Sequence, residues 1–95
     1  MLIAIGSARA LPGRRDDLVA AASEIVAGTR RDDGCESYGF YADITDPETI
    51  VSVEIWRDKA ALDAHMSHPH TQTFLGAAAE LVDGIPTVAI YDVPR

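Results

Sequence analysis

The alternation of side chains over residues 49–57 is the strongest structural signal in the sequence, because residues of a strand point alternately to its two faces. One face of this segment is aliphatic and consists of Val51, Val53 and Ile55. The other face is mixed and consists of Ile50, Ser52, Glu54 and Trp56. Both faces are suited to burial, and a buried carboxylate is costly unless it has a function. We interpret the mixed face as the floor of a ligand pocket.

Helical periodicity predicts a helix from Arg14 to Arg31. One stripe of its surface consists of Leu18, Ala22, Ile25 and Thr29, with Val19 and Val26 beside it. Asp16 and Asp17 would lie in the first turn, and Arg30 and Arg31 in the last. This charge arrangement is the one that the helix dipole favours.

The remaining segments complete a recognisable order of elements. Strands are predicted at 2–9, 35–43, 49–57 and 85–93, and two further helices at 59–67 and 69–82. Asp58 is the expected N-cap of the first of these helices, Pro69 fits the first turn of the second, and Gly84 is expected to end it. The order indicates an α+β, ferredoxin-like split β-α-β fold with a four-stranded antiparallel sheet.

A fold of this kind carries its helices on one face of the sheet. The other face would be open and lined by Val51, Val53 and Ile55. Packing of two such faces across a two-fold axis would cover both, so we expect a homodimer.

Composition narrows the function classes. The 95 residues suit a single domain spanning 1–95. A net charge of −7 argues against nucleic acid and anionic membranes as partners. The single cysteine, Cys35, excludes an intramolecular disulfide and fits a reducing compartment. No apolar run approaches the roughly 20 residues of a membrane helix, and the N-terminus lacks a signal-peptide pattern. We therefore expect a soluble, cytoplasmic protein.

Three features together resemble a known family. They are Gly34-Cys35 before a strand, Glu54-x-Trp56 at the end of a strand, and a His65-containing helix followed by Ser67-His68-Pro69-His70. The combination is similar to the antibiotic biosynthesis monooxygenase family, which includes quinol monooxygenases, over nearly the whole chain. The resemblance implies a dimeric α+β barrel with a pocket between sheet and helices in each subunit. It also implies oxidation of an aromatic substrate by O2 without flavin, haem or metal, with Trp56 at the substrate.

Glu54 and His65 are the candidate catalytic residues. Oxygen reacts readily with a phenolate and poorly with a neutral phenol, so a cofactor-free oxygenase must remove a proton inside a dry site. Histidine suits this task, and Glu54 could orient it or act as the base itself. The alternative is structural: Glu54 would satisfy a buried partner and His65 would pack over the sheet.

Aromatic side chains are expected to shape the pocket. Trp56 offers a flat face and an indole N–H, although a place in the core is its alternative role. The predicted substrate-binding residues are Trp56, Tyr38, Phe40, Ser52 and Phe74.

The spacing of the three histidines raises the question of a metal site. His65, His68 and His70 lie within six positions, which is compatible with a metal site. Pro69 separates two predicted helices, however, and no second acidic ligand or cysteine has matching spacing. We expect no metal and no cofactor, and we interpret Cys35 as a small buried apolar residue.

These observations predict a cytoplasmic, homodimeric, cofactor-independent monooxygenase that acts on a small quinol-like or phenol-like substrate with O2. The alternatives are a non-catalytic small-ligand-binding dimer and a cofactor-free isomerase of the same fold.

Overall fold

The computed structural model describes residues 1–95, which form four strands and three helices. In chain order these are β1 (Leu2–Ala10), α1 (Arg15–Thr29), β2 (Cys35–Ala42), β3 (Thr49–Trp56), α2 (Lys59–Ser67), α3 (Pro69–Ala79) and β4 (Val82–Asp92). All strand pairs are antiparallel, and the strand order is β2-β3-β1-β4. The α+β, ferredoxin-like fold predicted from the sequence is confirmed.

The two central strands, β1 and β3, form the floor on which the helices pack. Residues that face each other in an antiparallel pair share one face of the sheet. Ala4 is opposite Glu54, and Gly6 is opposite Ser52. Small residues on β1 therefore leave open space above the polar positions of β3. A side chain at Gly6 would remove part of that space, since its Cβ would stand 2.6 Å from Ser52 Oγ.

The core beneath the helices is divided into two clusters. The larger one consists of Leu2, Ile25, Tyr38, Trp56, Ala61 and Leu62. The smaller one consists of Ala10, Leu18, Ile50 and Leu81. Phe40 packs against both clusters. The buried residues of α1 are the predicted stripe of Leu18, Ala22, Ile25 and Thr29, so one helix face contributes to both parts of the core.

The end of α3 differs from the prediction. The helix ends at Ala79 rather than Val82, and β4 begins at Val82 rather than Ile85. A tight turn follows the helix, in which the backbone N–H of Leu81 donates to the carbonyl of Ala78 at 2.9 Å. Leu81 lies in this turn and its side chain is buried in the core. The apolar spacing of the helix therefore continues past its last residue, which is why the sequence predicts a longer helix.

The prediction that Gly84 ends α3 is wrong, because Gly84 lies inside β4. Its φ of +78° places it in the left-handed region, which glycine adopts without strain. The pairing of β1 with β4 shifts at this point: Ser7 is opposite Thr87, whereas Arg9 is opposite Asp83. Gly84 therefore belongs to a bulge in an edge strand.

The last turn of α1 also differs from the prediction. The helix ends at Thr29, Arg30 is its C-cap, and no basic residue lies in the last turn. By contrast, the expected N-cap of α2 is confirmed, since Asp58 Oδ1 accepts a hydrogen bond from the backbone N–H of Ala61 at 2.9 Å. None of the three helices combines the length and the hydropathy needed to cross a membrane.

Replacement of Gly34 by alanine is expected to destabilise the fold more than replacement of Gly13. Both glycines have positive φ, +80° and +76°, which costs an L-residue about 1–2 kcal/mol. Only at Gly34 would the new Cβ also clash, at 2.5 Å from the Ala61 Cβ, whereas Gly13 has no atom within 4 Å. The clash should add about 1–3 kcal/mol. Urea denaturation of both variants tests this, and equal losses would contradict it.

Candidate functional site

A cavity of about 370 Å³ lies between the sheet and the helices. Its floor is formed by β1 and β3, and its roof by α2 and α3. Most of the lining is apolar. The polar side chains in its wall are Ser52, Glu54, Asp63, His65 and Thr71. The exposed residues Val88 and Ile90 of β4 close one side.

A second depression of about 400 Å³ lies between α1 and β2. It is slightly larger, but its charged groups are only Arg15 and Arg30, and it contains neither a carboxylate nor an imidazole. Proton transfer needs groups that titrate in the working pH range. The cavity beneath α2 and α3 is therefore the candidate site.

Most of the predicted site residues lie together in the wall of this cavity. They are Glu54, His65, Tyr38, Phe40, Ser52 and Phe74. The rings of Phe40 and Phe74 lie 5.4 Å apart, and those of Phe40 and Tyr38 lie 5.7 Å apart with an edge-to-face angle of 75°. These rings form an aromatic wall, and their role in substrate binding stays a prediction.

Trp56 is not part of the cavity wall, contrary to its prediction as a substrate-contacting residue. Its side chain is 0% exposed and belongs to the larger core cluster. The last position of β3 lies beneath α2, where Ala61 and Leu62 cover the indole. The core alternative considered for this residue is the one that the structure favours.

Trp56 nevertheless acts on the cavity through Glu54. The indole Nε1–H donates a hydrogen bond to Glu54 Oε1 at 3.0 Å. The two residues are two positions apart on one strand, so they share a face. Burial raises the pKa of the Glu54 carboxyl, and the hydrogen bond from Trp56 opposes that shift in part. The carboxyl is thus held in a fixed orientation on the cavity floor.

His65 is held by a different carboxylate. Its side chain is 3% exposed, and its Nδ1 lies 3.4 Å from Asp32 Oδ2 and 3.2 Å from Thr71 Oγ1. A carboxylate can only accept a hydrogen bond, so this contact places the proton of the neutral imidazole on Nδ1. All of these contacts use Nδ1, and Nε2 makes no hydrogen bond within the chain.

Two aromatic rings fix the plane of the His65 imidazole. The Trp56 ring lies at 4.7 Å between centroids with an angle of 36°, and the Tyr38 ring lies at 5.4 Å. Burial lowers the pKa of His65, and the hydrogen bond and charge of Asp32 oppose that shift in part. The ring is therefore oriented from both sides and is favoured in its neutral form.

The predicted pairing of Glu54 with His65 is absent. Glu54 accepts from Trp56, and His65 donates to Asp32, with no hydrogen bond between the two. The two groups reach the cavity separately, from its floor and from its roof. Each has its own partner in the core, which keeps the two ionisable groups apart.

Asp32 is the residue that sequence reasoning missed. It lies in the loop between α1 and β2, and its side chain is only 9% exposed. Its Oδ2 accepts from His70 Nε2 at 3.0 Å and from His65, while His68 Nδ1 lies 3.0 Å from Oδ1. Burial alone would raise the pKa of the Asp32 carboxyl, but the hydrogen bonds from His70 and His65 outweigh it and hold the pKa below its ordinary value.

A topological signal could have found Asp32. The β2–β3 hairpin places Cys35 opposite Trp56, so the loop before β2 lies at the same end of the sheet as the start of α2. Three histidines follow in residues 65–70, and buried imidazoles need hydrogen-bond acceptors. The carboxylate adjacent to the β2 start supplies one.

Comparison with known proteins shows to which family the chain belongs. The sequence model of the family described as "Antibiotic biosynthesis monooxygenase" matches residues 1–77. The chain belongs to this family. A crystal structure of an antibiotic biosynthesis monooxygenase has a TM-score of 0.93, with 28% sequence identity and coverage of 100% of both chains.

Two curated proteins are similar to the chain in sequence. The uncharacterised protein sll1783 of Synechocystis sp. is 27% identical over 92 residues, which cover 97% of this chain and 63% of the relative. The chain thus spans less than two thirds of that protein's length. The Escherichia coli K12 protein named "Probable quinol monooxygenase YgiN" is 29% identical over 84 residues, 78% of this chain and 81% of the relative.

Glu54→Gln is expected to raise the thermal stability at neutral pH. Burial raises the pKa of Glu54 in the folded chain above the ordinary value of 4.5. The carboxyl therefore ionises more readily in the unfolded chain, and the folded chain loses stability as the pH rises from 4.5 through the folded-state pKa. The amide of glutamine keeps an oxygen that accepts from Trp56 and has no charge to desolvate. The melting temperature should therefore rise at neutral pH, and the gain should vanish below pH 4.5.

Glu24→Gln is the matched control, because Glu24 is exposed on α1. Its melting temperature should follow that of the wild type at every pH. A Glu54→Gln variant that is less stable than the wild type at neutral pH would show that the carboxylate is stabilised in the fold.

Proposed function

We propose that this chain is a cofactor-independent monooxygenase that oxidises a small quinol-type or phenol-type aromatic substrate with O2 in the cavity beneath α2 and α3. The observation that carries the proposal is the arrangement of His65. Its Nδ1 is held by Asp32, its Nε2 has no partner within the chain, and its ring lies in the wall of a largely apolar cavity. A base oriented in this way is suited to removing a hydroxyl proton.

The size and lining of the cavity support a small aromatic substrate. A volume of about 370 Å³ falls within the range of small-molecule sites, about 300–1,000 Å³. The aromatic wall of Tyr38, Phe40 and Phe74 offers edges and faces against which a planar ring can pack. Membership of the family supports monooxygenase chemistry, and the name of the E. coli relative supports the quinol class.

Proton removal is the first step of the proposed mechanism. His65 Nε2 accepts the proton of a substrate hydroxyl, and the Asp32 carboxylate stabilises the imidazolium through the hydrogen bond at Nδ1. The substrate becomes an electron-rich phenolate against a predominantly apolar lining. Ser52 and the Glu54 carboxyl on the floor are the polar groups available to orient its oxygens.

The oxidation balances without an external reductant. A ring C–H of the quinol becomes C–OH, the two quinol hydroxyls become carbonyls, and the second oxygen atom of O2 leaves as water. The substrate supplies all four electrons, so one quinol and one O2 yield one hydroxyquinone and one water. His65 returns its proton to the departing oxygen, and Glu54 handles the second proton from the floor of the cavity.

Oxygen uptake with a panel of quinols and anthrone-like phenols tests this function. His65→Gln is expected to lower kcat by about 10²–10⁴, the usual contribution of a general base. Asp32→Asn should lower kcat less, because the base remains but loses its orienting charge. Asp33→Asn is the control, since Asp33 is 92% exposed and pairs with Arg57 at 3.3 Å, and it should behave as the wild type.

Three outcomes would contradict the proposed monooxygenase activity. Equal uptake by the wild type and His65→Gln would remove the catalytic claim. Thermal stabilisation by aromatic ligands without oxygen uptake would indicate a ligand-binding protein. Conversion of a substrate without oxygen uptake would indicate an isomerase.

We also propose that two copies of the chain pair through the open face of the sheet. That face carries no charged side chain along its central positions, which are Ile3, Ile5, Ser7, Val51, Val53, Ile55, Thr87, Ala89 and Tyr91. A two-fold interface brings the same patch together twice. An uncharged apolar patch can therefore pair with itself without burying an unpaired charge.

Ile5→Lys is expected to convert the dimer to a monomer, because Ile5 lies at the centre of this face, opposite Val53 and Ala89. Ile44→Lys is the matched control, since Ile44 is 96% exposed in the β2–β3 turn. Size-exclusion chromatography with light scattering measures both. A monomeric wild type, or an Ile5→Lys variant that remains dimeric, would contradict the pairing.

A further inference from the structure

The cluster of imidazoles around Asp32 extends beyond what the proposed chemistry requires. Only His65 reaches the cavity, yet His68 and His70 converge on the same carboxylate. Proton removal by His65 needs one orienting group, and Asp32 alone supplies it. The two additional histidines therefore call for a separate explanation.

We propose that Asp32, His65 and His70 form a site for one divalent transition-metal cation. The three ligand atoms are Asp32 Oδ2, His65 Nδ1 and His70 Nε2, and all lie within 4.8 Å of one another. Two imidazole nitrogens and one carboxylate oxygen are the donor set that Zn²⁺ and its first-row neighbours prefer. This inference departs from the expectation, drawn from the sequence, of no metal.

The distances are close to those of a ligated ion. Asp32 Oδ2 lies 3.4 Å from His65 Nδ1 and 3.0 Å from His70 Nε2. With metal–ligand bonds of about 2.0–2.1 Å, neighbouring ligands of a tetrahedral or octahedral ion stand about 3.0–3.4 Å apart. Two of the three distances between ligand atoms already have this length. The third, between His65 Nδ1 and His70 Nε2, lies within 4.8 Å, and rotation of the imidazoles would shorten it.

The local fold brings the three ligands together from different elements. His65 lies in the last turn of α2, and His70 lies in the first turn of α3. The extended conformation of His68, with φ −66° and ψ 146°, turns the chain between the two helices and directs both imidazoles to Asp32. The carboxylate also lies near the N-terminus of α3, where the helix dipole favours negative charge.

His68 is placed to support the site without entering it. Its Nδ1 lies 3.0 Å from Asp32 Oδ1, the oxygen that the other two histidines leave free. A partner on that second oxygen would fix the carboxylate as a one-oxygen ligand. Thr71 Oγ1, 3.2 Å from His65 Nδ1, stands beside the remaining coordination positions, which water would fill.

Charge favours a cation at this position. The chain has a net charge of −7, and Asp32 is the only carboxylate in contact with the three histidines. In the metal-free state, Asp32 Oδ2 accepts N–H groups from two imidazoles. A divalent ion replaces those two protons, which move to the opposite ring nitrogens or to solvent. On His65 the proton would move to Nε2, so the ion-bound chain would lack the base of the proposed monooxygenase. A bound ion would therefore inhibit that activity and would not take part in it.

Zinc titration of the untagged, chelator-treated protein tests the site, with a chromophoric chelator as competitor. We expect one Zn²⁺ per chain, and affinities about a hundredfold weaker for His70→Gln and Asp32→Asn. His68→Gln should weaken binding about tenfold, the usual effect of losing a group that orients a ligand. Asp33→Asn, which changes the adjacent exposed acid, should bind as the wild type. Parallel titrations with Mn²⁺, Fe²⁺ and Mg²⁺ define the class, and Mg²⁺ should bind weakest.

A measurement on the wild type alone guards against variants that fail to fold. Binding of Zn²⁺ should shift the imidazole ¹⁵N resonances of His65 and His70 and should raise the melting temperature by several degrees at a hundredfold excess over Kd. Unshifted resonances, equal binding by the wild type and His70→Gln, or Mg²⁺ binding as tight as Zn²⁺ would overturn the proposal. These readouts do not use turnover, so failure of the proposed monooxygenase activity leaves this test intact.

Discussion

A single buried carboxylate, Asp32, organises one end of this molecule. A charged group in the interior is tolerated only where hydrogen bonds replace its lost hydration, and here the imidazoles of His65 and His70 supply them. Through these hydrogen bonds the carboxylate connects the loop after α1 to both α2 and α3. The orientation of His65 and the corner between the two helices both depend on this contact.

The cavity exists because the floor carries small residues and the core clusters leave the middle of the layer unfilled. On the floor, Ala4 and Gly6 face Glu54 and Ser52 across the β1–β3 pair, so little volume is filled above the central strands. The roof is carried on helices whose buried side chains divide between two clusters. Since neither cluster fills the middle of the layer, an open-sided space remains beside the ionisable groups.

Much of the fold followed from local pattern, whereas the pairing inside the site did not. The alternation of β3, the buried stripe of α1 and the cap at Asp58 are set by neighbours in sequence, and all three were predictable. The partner of His65 is a contact across 33 positions, which periodicity does not encode. Trp56 shares a face with Glu54, and that pattern predicts a place in the pocket. Its burial is decided instead by the helix that covers the end of β3. The end of α3 was missed because Leu81 continues the apolar spacing of the helix from a turn.

Trp56 is the sole tryptophan of the chain, and it lies between the two chemically distinct parts of the site. Its indole N–H is bound to Glu54, and its ring packs on His65. Because indole emission responds to the charge and mobility of neighbouring groups, the intrinsic fluorescence of the unmodified protein is a built-in optical reporter. One signal, from one fluorophore, registers events on the floor of the cavity and in its roof.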